Sequence, residues 1–378
     1  MNVKVSVLMP SFNHGRFIEA AIESVLSQTY QDFELIVVDD GSSDNSAEII
    51  SQFSSPKLRV EYLKQNVGAC EAMNIALSKS RGAYIAVCNS DDAWVANKLE
   101  TQCSFLDRNQ DICAVFSNVV WVGVDGECLE SSDSPYERVF EQRNRSRWAW
   151  LRDLLEGGNC LCHPSVLIRR EVFEAVGNYD NRLRQLPDLF MWTKAVQYGD
   201  IFVMPEKLVR FRLHETNTST PSEQANNRIL NEHALIVRET FRSVAPLNFA
   251  HAFGMKDAAI SEGVQFDIER ALYLLEHIGP FTRVFREIGL EAVYSLMKDS
   301  QARQVLSEKY GFDDLQLHEW SGKGSVWKTE ATASVLDRGD VEHSEYAVRN
   351  VRSVMLARVI LRRLVMRARD AIAQRRAI

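Results

Sequence analysis

The hydrophobic positions of the first hundred residues fall into short continuous runs, separated by stretches of helical spacing. Val3–Met9 is an apolar, β-branched run that ends at Pro10. Arg16–Ser27 places Phe17, Ala20, Ala21, Ser24 and Val25 on one helical face. Phe33–Val38 repeats the buried-strand pattern and runs into Asp39-Asp40-Gly41-Ser42, after which Ser43 or Asp44 can cap a helix reaching about Phe53. Leu58–Leu63 predicts a third strand, Ala69–Ser80 a helix and Tyr84–Cys88 a fourth strand. Apolar strands without polar alternation, spaced by amphipathic helices, imply an α/β architecture with a parallel sheet covered on both faces. In such sheets ligands sit beyond the carboxyl ends of the strands. The polar clusters Ser11-Phe12-Asn13, Asp39-Asp40 and Asn89-Ser90-Asp91-Asp92 all lie there.

Beyond Asp92 the pattern is less regular. Ile112–Asn118 and Val119–Val124 read as two strands that could pair, with Asp125-Gly126 as a hairpin turn. Ser131–Arg147 is polar and reads as a loop. Val166–Arg169 predicts a strand, Arg170–Val176 a short helix and Asp188–Gln197 another. Residues 222–320 are helical in periodicity, and 321–340 read as a loop or linker. The predicted organisation is a sheet domain over 1–221, a mainly helical region over 222–340 and a basic helix over 341–378.

Composition narrows the class. With 378 residues, 46% hydrophobic, 18 Gly and 9 Pro, the chain has ample core and is neither disordered nor collagen-like. No apolar run approaches the roughly 18 residues that read as a membrane span. The first residues lack a charged n-region and a small-residue cleavage site, and seven Cys without a C-x-x-C pair fit a reduced compartment. Cys160 and Cys162 have no further ligands at zinc spacing and read as free thiols. The expected location is cytoplasmic.

The net charge of −7 conceals an asymmetry. Residues 346–378 carry nine Arg against Asp370, a local +8, so the remainder, with 35 basic and 50 acidic side chains, carries −15. At about 100° per residue Val354, Ile360, Leu361, Leu364 and Val365 share one arc, with Arg352 and Arg363 opposite. Such a helix suits an anionic membrane surface, which would place the chain peripherally on the inner face of the cell membrane. The other reading is a terminal helix packed on the acidic body. No base-stacking or groove-reading motif accompanies the arginines, so nucleic acid is not an expected partner.

The strand-end acids carry the chemistry. Two adjacent carboxylates after an apolar strand can hold a hard cation, with phosphate oxygens completing its shell. A single pair reads first as a helix cap or a solvated turn. Two pairs at equivalent strand ends, with a polar cluster after the first strand, favour the functional reading.

The motifs V-S-V-L-M-P-S-F-N, V-V-D-D-G-S-S-D, Q-N-V-G-A-C-E-A-M-N and N-S-D-D-A-W follow one another in the first half. H-P-S-V-L-I-R-R-E-V-F-E-A-V-G-N-Y-D, P-D-L-F-M-W and R-F-R-L-H-E-T-N-T-S come after them. In this order the chain resembles the inverting family 2 glycosyltransferases over residues 3–240. The resemblance implies a GT-A fold, a Rossmann-like, mostly parallel sheet flanked by helices with a helical C-terminal region. It implies a nucleotide-diphosphate-sugar donor, with UDP-sugars first among the candidates, and a divalent metal, Mn2+ or Mg2+. The acceptor would be a hydroxyl of a glycan or lipid-linked acceptor in surface polysaccharide synthesis.

By the same resemblance, Pro10, Ser11, Phe12 and Asn13 would line the base pocket, and Asp39 would accept a hydrogen bond from base or ribose. Asp40 would shape the donor-side turn with Gly41 and Ser42. Asn66 and Gly68 would lie near the ribose and diphosphate. Asn74 would face the donor sugar, or remain a solvated helix residue. Asn89 stands where the family's D-x-D has its first acid and, with Ser90, offers the donor only neutral groups. Asp91 is then the main metal ligand and Asp92 the second, with His214 placed to contact the metal or diphosphate. Asp188 takes the place of the family's general base, with Pro187 where an acid usually precedes it; an acid there also complements the helix dipole. His14 reads as an exposed loop histidine that could touch the donor. Two other readings stay open. Asn89 favours a catalytically silent nucleotide- or glycan-binding module. A nucleotidyltransferase would want a Gly-, Arg- and Lys-containing first loop, which Ser11-Phe12-Asn13-His14-Gly15 does not supply.

Overall fold

The computed structural model describes residues 3–129, 138–215, 217, 222–254 and 263–323. Its first part follows the hydrophobic pattern closely. Strands β1 (Val5–Ser11), β2 (Phe33–Asp39), β3 (Leu58–Tyr62) and β4 (Tyr84–Val87) alternate with helices α1 (Ile18–Leu26), α2 (Ser46–Ser51) and α3 (Ala69–Lys79). The strands pair in parallel in the order β3-β2-β1-β4, with Val7 opposite Leu35 and Ser11 opposite Asp39. Side chains alternate between faces. Val5, Val7, Met9, Leu35 and Val37 pack with Ile18, Ile22 and Val25 of α1. Leu8, Ile36, Val38 and Ile85 pack with Ala72, Met73 and Ala76 of α3. Burial on both sides is why these strands read as unbroken apolar runs, each buried aliphatic side chain contributing about 1.5–3 kcal/mol.

The chain continues through β5 (Ala93–Trp94), α4 (Lys98–Arg108), β6 (Ile112–Val122), α5 (Arg147–Gly157), β7 (Leu167–Arg169), α6 (Arg170–Val176), α7 (Pro187–Tyr198) and β8 (Asp200–Arg212). These extend the sheet beyond β4 as β7-β6-β8-β5. β7 runs antiparallel to β4 and β6, β8 runs parallel to β6, and β5 is antiparallel to β8. The two strands expected over 112–124 are one. The ladder with β8 shifts register where the two were divided: Ser117 pairs with Met204 and Asn118 with Lys207, so Pro205 and Glu206 of β8 are extruded as a bulge. Pro205 has no N–H to give, and the Asn118 amide donates to its carbonyl at 3.1 Å. Asp125-Gly126 does turn the chain, bringing Cys128 back to bridge Val122.

After α7 and β8 the described residues form only helices: α8 (Glu223–Ser243), α9 (Pro246–Phe253), α10 (Val264–Glu276), α11 (Thr282–Leu296), α12 (Ser300–Tyr310) and α13 (Asp314–Ser321). Ile236, Phe241, Phe249, Phe266 and Phe285 join the same core as α3, α5 and α7. α10 and α11 cross closely at Gly289, where a Cβ would lie 2.3 Å from the Leu275 nitrogen. Residues to Trp320 form one compact unit. The predicted linker beyond residue 323 and the basic segment 346–378 lie outside the described residues. Among the described residues no helix is long and apolar enough to cross a membrane.

Candidate active site

The carboxyl ends of β1 and β2 form one half of the site. Asn13, directly after β1, adopts φ 54°, the only non-glycine residue with positive φ among the described residues. It is held there by the loop after β2: the Ser42 hydroxyl accepts from the Asn13 N–H at 2.9 Å, and Asn13 Oδ1 accepts from the Ser43 N–H at 2.8 Å. Ser42 in turn donates to Asp39 Oδ1 at 2.6 Å. Asp40 faces the other way, and its two oxygens accept from the N–H groups of Val67 (2.7 Å) and Gly68 (2.9 Å). Gly41 is required between these loops, since at φ 68° a Cβ would fall 2.7 Å from the Gln65 carbonyl carbon. Ser11 is buried with an unpartnered hydroxyl, whereas Phe12 and Asn66 are exposed and Pro10 is half-buried. Gly68 borders open space, with no atom within 4 Å of where a Cβ would stand. Asn74 lies apart from this group. Its side chain donates to the Tyr179 carbonyl (2.9 Å) and Asn181 Oδ1 (2.8 Å), tying α3 to the loop before α7.

The ends of β4 and β8 form the other half, joined by Arg212. The Arg212 N–H donates to Asp92 Oδ1 at 2.9 Å and its Nε to the Asp91 carbonyl at 2.9 Å. Its Nη1 donates to the carbonyls of Gly123 and Val124, both at 2.9 Å, and the guanidinium lies 5.1 Å from the Phe17 ring centre. This tie brings His214 to Asp91, with Nε2 and Oδ2 3.1 Å apart and both side chains largely buried. Asn217 donates to the same carboxylate oxygen at 3.3 Å. His14, partly buried rather than exposed, enters from the β1 side with Nδ1 2.7 Å from the Ser90 hydroxyl. One ligand atom each from His14, Asp91 and His214 lie within 4.8 Å of one another. Asp92 stands outside this cluster, its second oxygen accepting from the Asn89 amide at 3.1 Å.

Environment separates the two neighbouring acids. Burial works to raise Asp91, but the hydrogen bond from His214 and the fields of His14 and His214 hold it below the usual carboxylate range. Burial and the Asp91 charge push Asp92 well above that range. Burial lowers His14, with His214 adding to it against the opposite pull of Asp91 and Asp44.

Asp188 sits in the first turn of α7, after Pro187. Its Oδ1 accepts from the Leu189 N–H (2.8 Å) and its Oδ2 from the Asn159 amide (2.6 Å). Burial outweighs both hydrogen bonds and pushes its carboxyl to about 6. Its charge reaches the Cys70 thiol in the first turn of α3, which burial and Asp188 together push up to about 12.

Comparison with known proteins places the chain. A sequence model described as Glycosyl transferase family 2 matches residues 6–177. The Bacillus subtilis glycosyltransferase TuaG, named for teichuronic acid biosynthesis, is 32% identical over 221 residues, which is 57% of this chain and 81% of that protein. This chain is a family 2 glycosyltransferase. An Escherichia coli relative, the UDP-Glc:alpha-D-GlcNAc-diphosphoundecaprenol beta-1,3-glucosyltransferase WfgD, is 46% identical over 108 residues, 28% of this chain and 42% of WfgD. The match spans 65% of a Rickettsia prowazekii glycosyltransferase, so the chain covers less than two thirds of some relatives. The fold is that of S. aureus TarS, with a TM-score of 0.51 and 16% identity over 86% of this chain and 93% of the TarS structure.

Two features of this glycosyltransferase gave no signal in sequence. Asn159 lies in an irregular segment, and Glu232 is one acid among many on α8. The Glu232 carboxylate is buried and accepts from three consecutive N–H groups, those of Arg184 (2.9 Å), Gln185 (2.8 Å) and Leu186 (2.9 Å). It thereby fixes the turn that enters α7, just before Asp188. Glu232→Gln keeps the shape but replaces an acceptor oxygen with a donor, so we expect a loss of about 2 kcal/mol in urea denaturation. The Glu232 charge also helps raise Asp188. The acid limb of kcat/KM in the variant should therefore move to lower pH. An unchanged midpoint together with an unchanged limb would deny the carboxylate this role.

Proposed function

We propose that this glycosyltransferase moves a sugar from a nucleotide-diphosphate donor to a hydroxyl of a glycan or lipid-linked acceptor, with inversion at the anomeric carbon, in surface polysaccharide synthesis. The observation that carries the reading is Asp188: a carboxylate fixed by Asn159 and the Leu189 N–H and raised to about 6 by burial, as a general base near neutrality needs to be. Asp188 takes the proton of the acceptor hydroxyl while that oxygen forms its bond to the anomeric carbon. The bond from that carbon to the diphosphate breaks on the opposite face, and the electron pair leaves with the nucleoside diphosphate. No covalent intermediate with the protein is needed, so the anomer inverts.

On the donor side, Ser11, Asn13 and Asp39 would meet the nucleoside, and the unpartnered Ser11 hydroxyl supports this as an available group. Asp40 acts through Val67 and Gly68, holding the loop against which the diphosphate would lie. The chemistry of the Asp91 and His214 side chains fits a divalent ion, Mn2+ or Mg2+, which when bound neutralises charge on the departing diphosphate. UDP-sugars are the favoured donors, since TarS has been captured with UDP and with UDP-GlcNAc and WfgD is named for UDP-Glc. The WfgD name also supports a lipid-linked acceptor, and that of TuaG a role in polysaccharide assembly. The basic segment 346–378 would bring the enzyme to the anionic inner face of the membrane, where such acceptors reside.

Asp188→Asn should lower kcat by about 10²–10⁴-fold with little change in donor affinity. In the parent protein kcat/KM should fall below pH 6, as the base becomes protonated. Equal loss of donor binding and transfer would argue against a base. A thermal-shift panel of nucleotide sugars with Mn2+ should give a shift from UDP-sugars; silence from every donor would return the binding-module reading that Asn89 favours. Truncation of 346–378 should release the protein from anionic liposomes in flotation, and undiminished flotation would sink the membrane role.

A further inference from the structure

We propose that His14 is a third protein ligand of the metal. The site would then comprise two imidazoles and one carboxylate, and would favour transition ions over Mg2+. The inference rests on the reading of Asp91 and His214 as a metal site and goes beyond it, since His14 belongs to the loop after β1, in a separate segment from the D-x-D position and from β8. Four observations carry it. A ring nitrogen of His14 shares the 4.8 Å cluster with ligand atoms of Asp91 and His214. The loop that carries the ring is fixed through its backbone. The His14 N–H donates to the Ser46 hydroxyl at 3.0 Å, and the next N–H, of Gly15, donates to Asp44 Oδ2 at 2.9 Å. The His14 and His214 rings stand nearly perpendicular, with centroids 5.9 Å apart, so neither covers the other's nitrogens by stacking.

The fourth is the Ser90 hydroxyl, buried and 2.7 Å from Nδ1. When that oxygen accepts from Nδ1–H, the tautomer is set and Nε2 keeps its lone pair, the arrangement that ligating histidines usually have with an outer-shell partner. The donor set has a chemical consequence. Asn89 removes one hard, charged oxygen from the position of the family's first acid, and its amide is engaged by Asp92. Imidazole in its place is a borderline donor, which suits Mn2+ and the later first-row ions better than Mg2+, an ion that prefers oxygen in near-octahedral array.

The test is pulsed EPR on the full chain loaded with Mn2+ alone, reading nitrogen modulation, beside Mn2+ and Mg2+ titrations by calorimetry. The parent protein should show modulation from two imidazoles, and His14→Gln and His214→Gln should each show one. His14→Gln should weaken Mn2+ binding about 10-fold or more, on the scale of lost outer-shell or ligand support, and weaken Mg2+ binding far less. Ser90→Ala should keep both nitrogen couplings with weaker Mn2+ binding. A parent protein with a single imidazole coupling overturns the proposal without any variant having to fold, and leaves the Asp91–His214 reading standing. So does a folded His14→Gln that keeps the parent's modulation and Mn2+ affinity. A parent protein that binds no Mn2+ takes down the metal reading itself, and this proposal with it.

Discussion

The site is assembled around one buried guanidinium. Arg212 ends β8, the longest strand, and its hydrogen bonds reach the Asp91 carbonyl, the Asp92 carboxylate through its own N–H, and the turn at Gly123-Val124. The same guanidinium faces Phe17 at the start of α1. Five donors in a fixed fork let arginine reinforce the join where the β5–β8 and β6–β8 ladders end, at Ala93 opposite Arg210 and Val122 opposite Arg212. Its effect is to bring the end of an inner parallel strand and the end of a distant strand into one cluster. His214 meets Asp91 two residues beyond Arg212, where the ladders and the guanidinium together hold the end of β8.

The same constraint divides labour among carboxylates of identical chemistry. Asp92 faces inward onto the Arg212 N–H and the Asn89 amide, and burial, with the Asp91 charge, raises its carboxyl well above the usual range. Asp91, one residue earlier, faces two imidazoles and is held ionised. Asp40 is locked onto two backbone N–H groups, while Asp39 is oriented by Ser42. Asp188 is raised by burial at a helix start. The surroundings, rather than residue type, decide which acid supports a loop, which holds charge and which can take a proton.

The parallel half of the sheet was legible in sequence because each strand is buried on both faces, so β-branched runs appear without interruption. The strand-end acids were legible for the same reason, since they follow those runs directly. Other elements were hidden by polar burial. α4 buries Lys98 and Gln102 beside Leu99, Cys103 and Leu106, which blurs its apolar stripe. β8 is interrupted by Pro205 and Glu206 at a bulge, and α5 begins within a stretch read as a polar loop. In the site, Asp91 and His214 could be named from motif order. The inward turn of Asp92, the engagement of Asn74 with the 179–181 loop and the entry of His14 depend on hydrogen bonds between segments far apart in sequence. Local pattern carries no trace of such contacts.

The family match ends at residue 177, before Asp188, and the predicted sheet domain ends at 221. The carboxylate that organises the turn into α7 comes from Glu232, beyond both boundaries. A protein cut at residue 221 would retain every strand of the sheet, yet would leave three N–H groups at the mouth of α7 without their acceptor. The smallest unit in which Asp188 is held therefore extends into α8. Helices that look like an appendage to the catalytic fold are part of its mould.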